Sequence, residues 1–248
     1  MRRYAGAAAT YDRALQITPD DIQLDMFCAE VAWQWRADPE PICRFVERVR
    51  RERPASLPDV VDNWFRCGLA ERNWAGAEQA LAALGDSPFF IDGPIQLKRD
   101  FGEGLLARAM NDEARAQRAF TAARAAQEQV VRKQKDYAPA LCLLGLIDAA
   151  LGNKQAALEE GRRATELLPV SKDAINGPTV TAYSAMIGAW AGEKDLAIEQ
   201  LSSIIQPGTF APTCTLYGML KTFPFWDPLR GDPRFEKIVT SLAPKPSK

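Results

Sequence analysis

Four residues in one stretch constrain this chain more than any others. They are Gly145, Ala157, Ala164 and Pro169, within YAPALCLLGLIDAALGNKQAALEEGRRATELLP, which begins at Tyr137. Two antiparallel helices approach closely only where a small residue of one faces small residues of the other, so Gly145 predicts a contact with Ala157 and Ala164. Pro169 ends the unit. A helix hairpin of this size cannot bury its apolar face alone, so one clear unit predicts neighbours stacked on it.

Units of the same kind flank it. Ala7, Tyr11, Ala14 and Pro19 fit the second helix of a unit whose first helix would lie before Met1, so the chain reads as starting in mid-repeat. A second unit has Ala29 on a helix from about Ile22 to Trp35, then Ile42, Val46, Val49 and Pro54, with Pro41 interrupting the expected start of its second helix. Trp74, Ala77, Leu81 and Leu84 carry a third unit. Gly104, Ala116, Phe120 and Ala123 carry a fourth, whose second helix reads on to about Asp136. Ala185, Gly192, Ala197, Leu201 and Ile204 carry a sixth. Residues 85–94, with two prolines and two glycines, replace the tight link between the third and fourth. Equivalent positions (Ala14, Val49, Leu84, Ala123, Ala164, Ile204) recur every 35 to 41 residues. The pattern resembles the tetratricopeptide (TPR) repeat, although Gly161 stands where that repeat usually has an aromatic. It predicts an all-α chain: a TPR-like α-α superhelix, or helical solenoid, of about five to six helix-turn-helix repeats.

Several functional classes are disfavoured by composition. With no histidine, Ser-His-Asp and Cys-His catalysis need another chain. The net charge of −1 gives no global field for nucleic acid, and no apolar run is long enough to cross a bilayer. No signal-peptide pattern opens the sequence, and the expected compartment is cytoplasmic. Cys28, Cys43, Cys67, Cys142 and Cys214 are odd in number and lack any C-x-x-C pair, so they read as reduced thiols buried as small apolar residues. No metal, cofactor or catalytic residue is expected.

Other strings have structural readings. Gly102-Glu103-Gly104-Leu105-Leu106-Ala107 matches a relaxed dinucleotide-binding fingerprint, but that motif needs a preceding strand and Phe101 to Met110 reads as a helix. The run from Arg44 to Arg53 is the most basic patch; its apolar positions share one face, and Glu47 with Arg51 forms an i,i+4 pair on a solvated one. Trp74, Trp190 and Trp226 read as core, while Trp33, Trp35 and Trp64 are left open. The carboxylate pairs Asp20-Asp21 and Glu159-Glu160 fall at a helix start and on an exposed face.

At the C-terminal end, Asp227-Pro228 and Asp232-Pro233 each read as an N-cap followed by proline at the first helical position. Gly231 separates them. The last helix buries Phe235, Ile238, Val239 and Leu242 and caps the stack, giving one domain over 1–242 and a disordered tail over 243–248. FWDPLRGDPRFEKIVTSLAPK, ALCLLGLIDAALGNKQAALEEGRRATELLP and WAGEKDLAIEQL together resemble the C-terminal TPR region of large bacterial signalling proteins. There a similar array follows a serine/threonine kinase, transcription-factor or cyclase-type module. This chain contains no kinase motif, and the resemblance, with the mid-repeat start, implies a piece of a longer protein, the alternative being a complete short gene product.

In TPR arrays the first helices line a concave groove. By register this assigns partner contacts to Gln23, Met26, Glu30, Trp33, Lys98, Phe101, Leu105, Arg108, Leu146 and Met186. Their mix of aromatic, Met and isolated charge suits an extended peptide with apolar anchors. The Lys, Asn and Arg arrangement that holds a chaperone's terminal carboxylate is not apparent. The expectation is a non-enzymatic scaffold for a protein or peptide partner, with no nucleic acid or membrane. The alternatives are regulation in cis of an attached enzyme such as a kinase, and self-association through the uncapped N-terminal end.

Overall fold

The structure, a computed structural model, describes residues 4–206 and 208–244; of the tail expected at 243–248, residues 245–248 lie outside them. The described residues are all-helical apart from one small hairpin. Helix α1 (Tyr4–Ile17) leads into five helix hairpins: α2 (Ile22–Arg36) with α3 (Glu40–Glu52), α4 (Val61–Ala70) with α5 (Trp74–Ala83), α6 (Arg99–Ala109) with α7 (Glu113–Lys133), α8 (Ala138–Ala150) with α9 (Lys154–Leu167), and α10 (Asn176–Trp190) with α11 (Lys194–Ile204). Two shorter helices follow, α12 (Tyr217–Thr222) and α13 (Pro233–Leu242). No helix among the described residues is long and apolar enough to cross a membrane.

Four of the hairpins turn in the same way. Arg72, Asn111, Gly152 and Gly192 each adopt a left-handed backbone, with φ of 57, 60, 82 and 84°. The next amide then donates to a carbonyl five residues back: Asn73 to Gly68, Asp112 to Ala107, Asn153 to Asp148 and Glu193 to Gly188, at 2.8–2.9 Å. This 6→1 bond satisfies a carbonyl that the helix end leaves orphaned. Five residues beyond each left-handed residue stands a buried alanine, Ala77, Ala116, Ala157 or Ala197. Close approach explains the small residues. A Cβ on Gly68 would lie 2.8 Å from the Ala77 backbone, and one on Gly145 3.0 Å from the Ala157 carbonyl oxygen. Side-chain caps start α5 and α7, where Asn73 and Asp112 accept from Gly76 and Arg115 amides.

Several expectations are corrected. Pro41 does not interrupt α3; it occupies its first turn, where a missing N–H costs nothing. The link at 85–94 contains a strand, β1 (Phe90–Asp92), paired antiparallel with β2 (Ile95–Leu97). Gly93, at φ 56°, makes the reversal possible. A strand therefore does precede α6. Its glycines, however, are spent on packing: a Cβ on Gly104 would meet the Phe120 ring at 2.7 Å, and one on Gly102 would meet Phe65 and Phe89 at 3.1 Å. Cys43 and Cys67 form a disulfide between α3 and α4, leaving Cys28, Cys142 and Cys214 as thiols. Glu47 pairs with Arg50, and Arg51 with Glu52, rather than with each other.

The C-terminal segment runs back over the stack. Asp232 caps α13 and Pro233 follows it, as the sequence predicts, and Gly231 before them takes a positive φ. Phe235 and Val239 are buried there, with Ile238 and Leu242 half-buried. Asp227 is no N-cap; it lies inside a 3-10 turn, Pro224–Leu229. Helix α12 packs on α2 and the 3-10 turn on α10, so one apolar cluster runs from Trp33 to Val239.

Candidate functional site

The first helices of the hairpins (α2, α4, α6, α8 and α10) form the face on which partner contacts are expected. Much of it is covered by this chain. Trp33, Phe101, Leu105, Leu146 and Met186 are all buried, Met26 and Glu30 are half-buried, and Gln23, Lys98 and Arg108 are exposed. Trp33 donates its indole N–H to Thr222 Oγ1 at 2.9 Å and packs on Phe223. Glu30 pairs with Arg66 at 2.6 Å beneath it, and Asn63 reaches Met26 Sδ. Phe101 stacks on Trp190, joining α6 to α10.

Buried polar groups anchor the cover. Trp190 donates to the Phe225 carbonyl at 2.8 Å and Trp226 to the Cys214 carbonyl at 2.9 Å. Asp92, at the tip of β1, accepts from the amides of Thr213 and Cys214, both at 2.9 Å. Burial raises its pKa from the ordinary value while those amides pull it back. Phe90 touches both Phe223 and Phe225, so hairpin and C-terminal segment form one aromatic plug. Phe223, Phe225, Trp226 and Leu229 are fully buried, together worth on the order of 10 kcal/mol.

Besides openings at α2–α3 and between α11 and α13, two remain among the described residues. A cleft of about 700 Å³ lies beside α3 and α4, with the disulfide in its wall. Its arginines are paired, Arg44 with Glu40 and Arg48 with Asp25, while the pKa of Glu71 in the same wall is raised by burial and by Glu40 and Glu47; Arg50 lies over the Trp64 ring at 3.7 Å. The second is a rim pocket of about 330 Å³, between the ends of α6 and α10 and the 3-10 turn. Leu105, Trp190, Pro224 and Pro228 supply apolar wall, and Arg72, Arg108 and Asp227 supply charge. Arg72 binds both Asp227 oxygens at 2.9 Å, and Arg230 adds a third contact at 2.7 Å. Arg108 sits 4.6 Å over the Trp190 ring. Burial lowers its pKa from the ordinary value.

Of the ten expected contact residues, the pocket gathers two, Leu105 and Arg108. Sequence reasoning missed Arg72 and Asp227 because no local signal joins residues 155 positions apart. Glu160 is also misplaced by it: rather than lying on an exposed face, its carboxyl is half-buried beside Asp148, and burial, then Asp148, push it up to about 8. The free thiols are not activated. Burial raises all three, Cys28 to about 11. Among the described residues no cluster of His, Cys, Asp or Glu could hold a metal ion.

Comparison with family models and with curated protein sequences returns no match.

Proposed function

We propose that this chain is a non-enzymatic protein-interaction scaffold of TPR type, whose partner engages the open rim and flanks of the stack rather than its inner face. The observation that carries the reading is the fourfold recurrence of one turn, left-handed residue, 6→1 bond and buried alanine, at Arg72, Asn111, Gly152 and Gly192. Repeats of this kind bury a continuous core only by stacking, and the stack then offers long side surfaces to other chains. The test is peptide-display selection on the full chain, with affinities of enriched peptides measured by calorimetry. The reading predicts a peptide family binding at micromolar Kd; selections that enrich nothing tighter than about 1 mM count against it.

A second reading, regulation in cis of an attached enzyme, is favoured by the covered inner face, which leaves a free ligand little of the expected groove. It predicts that the chain, added to its enzyme module as a separate protein, changes that module's activity without competing with any enriched peptide.

A further inference from the structure

Arg108 differs from the other guanidiniums that line a cleft. Those of Arg44, Arg48 and Arg51 around the larger cleft, and Arg72 in the same pocket, are each paired with a carboxylate. Arg108 makes no hydrogen bond or ion pair among the described residues, and its recorded partner is the Trp190 ring. Trp190 itself is fixed, with its N–H spent on Phe225 and its face against Phe101. The guanidinium is thus held at the pocket mouth with its donors unspent, and a guanidinium carries five in a planar fork. Behind it two guanidiniums, Arg72 and Arg230, share one carboxylate, Asp227.

We propose that the rim pocket receives one carboxylate side chain of a partner peptide, an aspartate or glutamate flanked by apolar residues, with Arg108 as its ligand. The inference rests on the scaffold reading and names what that partner presents. Charge complementarity selects the ligand. A carboxylate takes two parallel N–H bonds from a single guanidinium, and one guanidinium is free. A phosphate dianion calls for a second free cation, but Arg72 and Arg230 are occupied and the Asp227 carboxylate would oppose the extra charge. Leu105, Pro224 and Pro228 line the rest of the pocket and suit apolar flanking residues. A pocket of about 330 Å³ is at the small end of ligand sites, sized for a side chain and its neighbours.

The test uses the full chain with 15N-labelled arginine and tryptophan, titrated with acetyl-Leu-Asp-Leu-amide, its asparagine counterpart and its phosphoserine counterpart. The aspartate peptide should shift the Arg108 Nε–H and Trp190 Nε1–H resonances, saturating near ~1 mM. R108Q should weaken it about tenfold, and R108K should restore part of the loss, while slow hydrogen exchange of the Trp190 Nε1–H shows that its bond to Phe225 is kept in both. The proposal is overturned by an asparagine peptide that binds equally, by a phosphoserine peptide that binds more tightly, or by no shift at ~10 mM. The two readings fail separately. Display-selected peptides whose binding survives R108Q would remove the pocket and leave the scaffold; a tripeptide that binds while selection yields nothing longer would do the reverse.

Discussion

At the residue scale, single atoms decide how closely segments approach. Gly218 on α12 is the tightest case: a Cβ there would stand 1.9 Å from the Trp33 carbonyl oxygen. G218A should therefore cost about 3 kcal/mol or more, read from urea unfolding, because backbone and not a flexible side chain is in the way. Glu160 sets a pH dependence. Its carboxyl is raised from 4.5 to about 8, so the native state keeps a proton that the unfolded chain releases. Its contribution is full below pH 4.5 and is lost as pH rises toward 8. Between those values E160Q should flatten the fall in stability, measured as urea midpoints across pH, with Asp148, Arg124 and Glu128 unchanged. The small residues inside a hairpin, such as Gly145 and Ala157, were legible from sequence because that steric need is local; Gly218 was not, because Trp33 lies far from it in the chain. The burial of Glu160 was not, since it depends on Asp148 from the preceding helix.

At the element scale, the helices were legible and the irregular pieces were not. Capping and apolar period placed α2 within a residue of its observed ends and carried α7 to about Asp136, three residues beyond its observed end at Lys133. The hairpin β1-β2 was read as a bare link although Gly93-Pro94, a two-residue loop with glycine first, stands between Phe90-Ile91-Asp92 and Ile95-Gln96-Leu97, a hairpin signal in its own right. Asp92 does more than turn the chain. Replacing it by alanine leaves the Thr213 and Cys214 amides without their acceptor, so D92A should lose about 3 kcal/mol and loosen the C-terminal segment in hydrogen exchange. The Cys43–Cys67 bond was missed because an odd cysteine count says nothing about which helices lie side by side. It closes a loop across 24 positions, and reduction should lower stability by ~3 kcal/mol, seen as a shift in urea midpoint with and without reductant.

At the scale of the whole molecule, the repeat stack was predictable and its closure was not. Sequence period describes contacts between neighbouring units; it cannot show that the end of the chain returns to α2. A linear stack opens from its ends, with stability graded along it. Here α2 and α12 hold each other, so hydrogen exchange should give them the same opening free energy; a lower value for α12 alone would mean that the segment detaches by itself. The candidate contact residues divide for the same reason. Register placed Trp33, Phe101, Leu105, Leu146 and Met186 on an inward face, but what lies over that face comes from positions that register does not reach.

The bond from Trp33 to Thr222 spans 189 positions, and this has a consequence for synthesis. During translation at about 5–20 residues per second, the inner surface of the early helices waits on the order of 10–40 s for the segment that shields it. Helix hairpins are complete long before then, each with an apolar flank turned to water. A nascent chain of this design spends most of its elongation as a half-finished stack with its inner surface open to other chains.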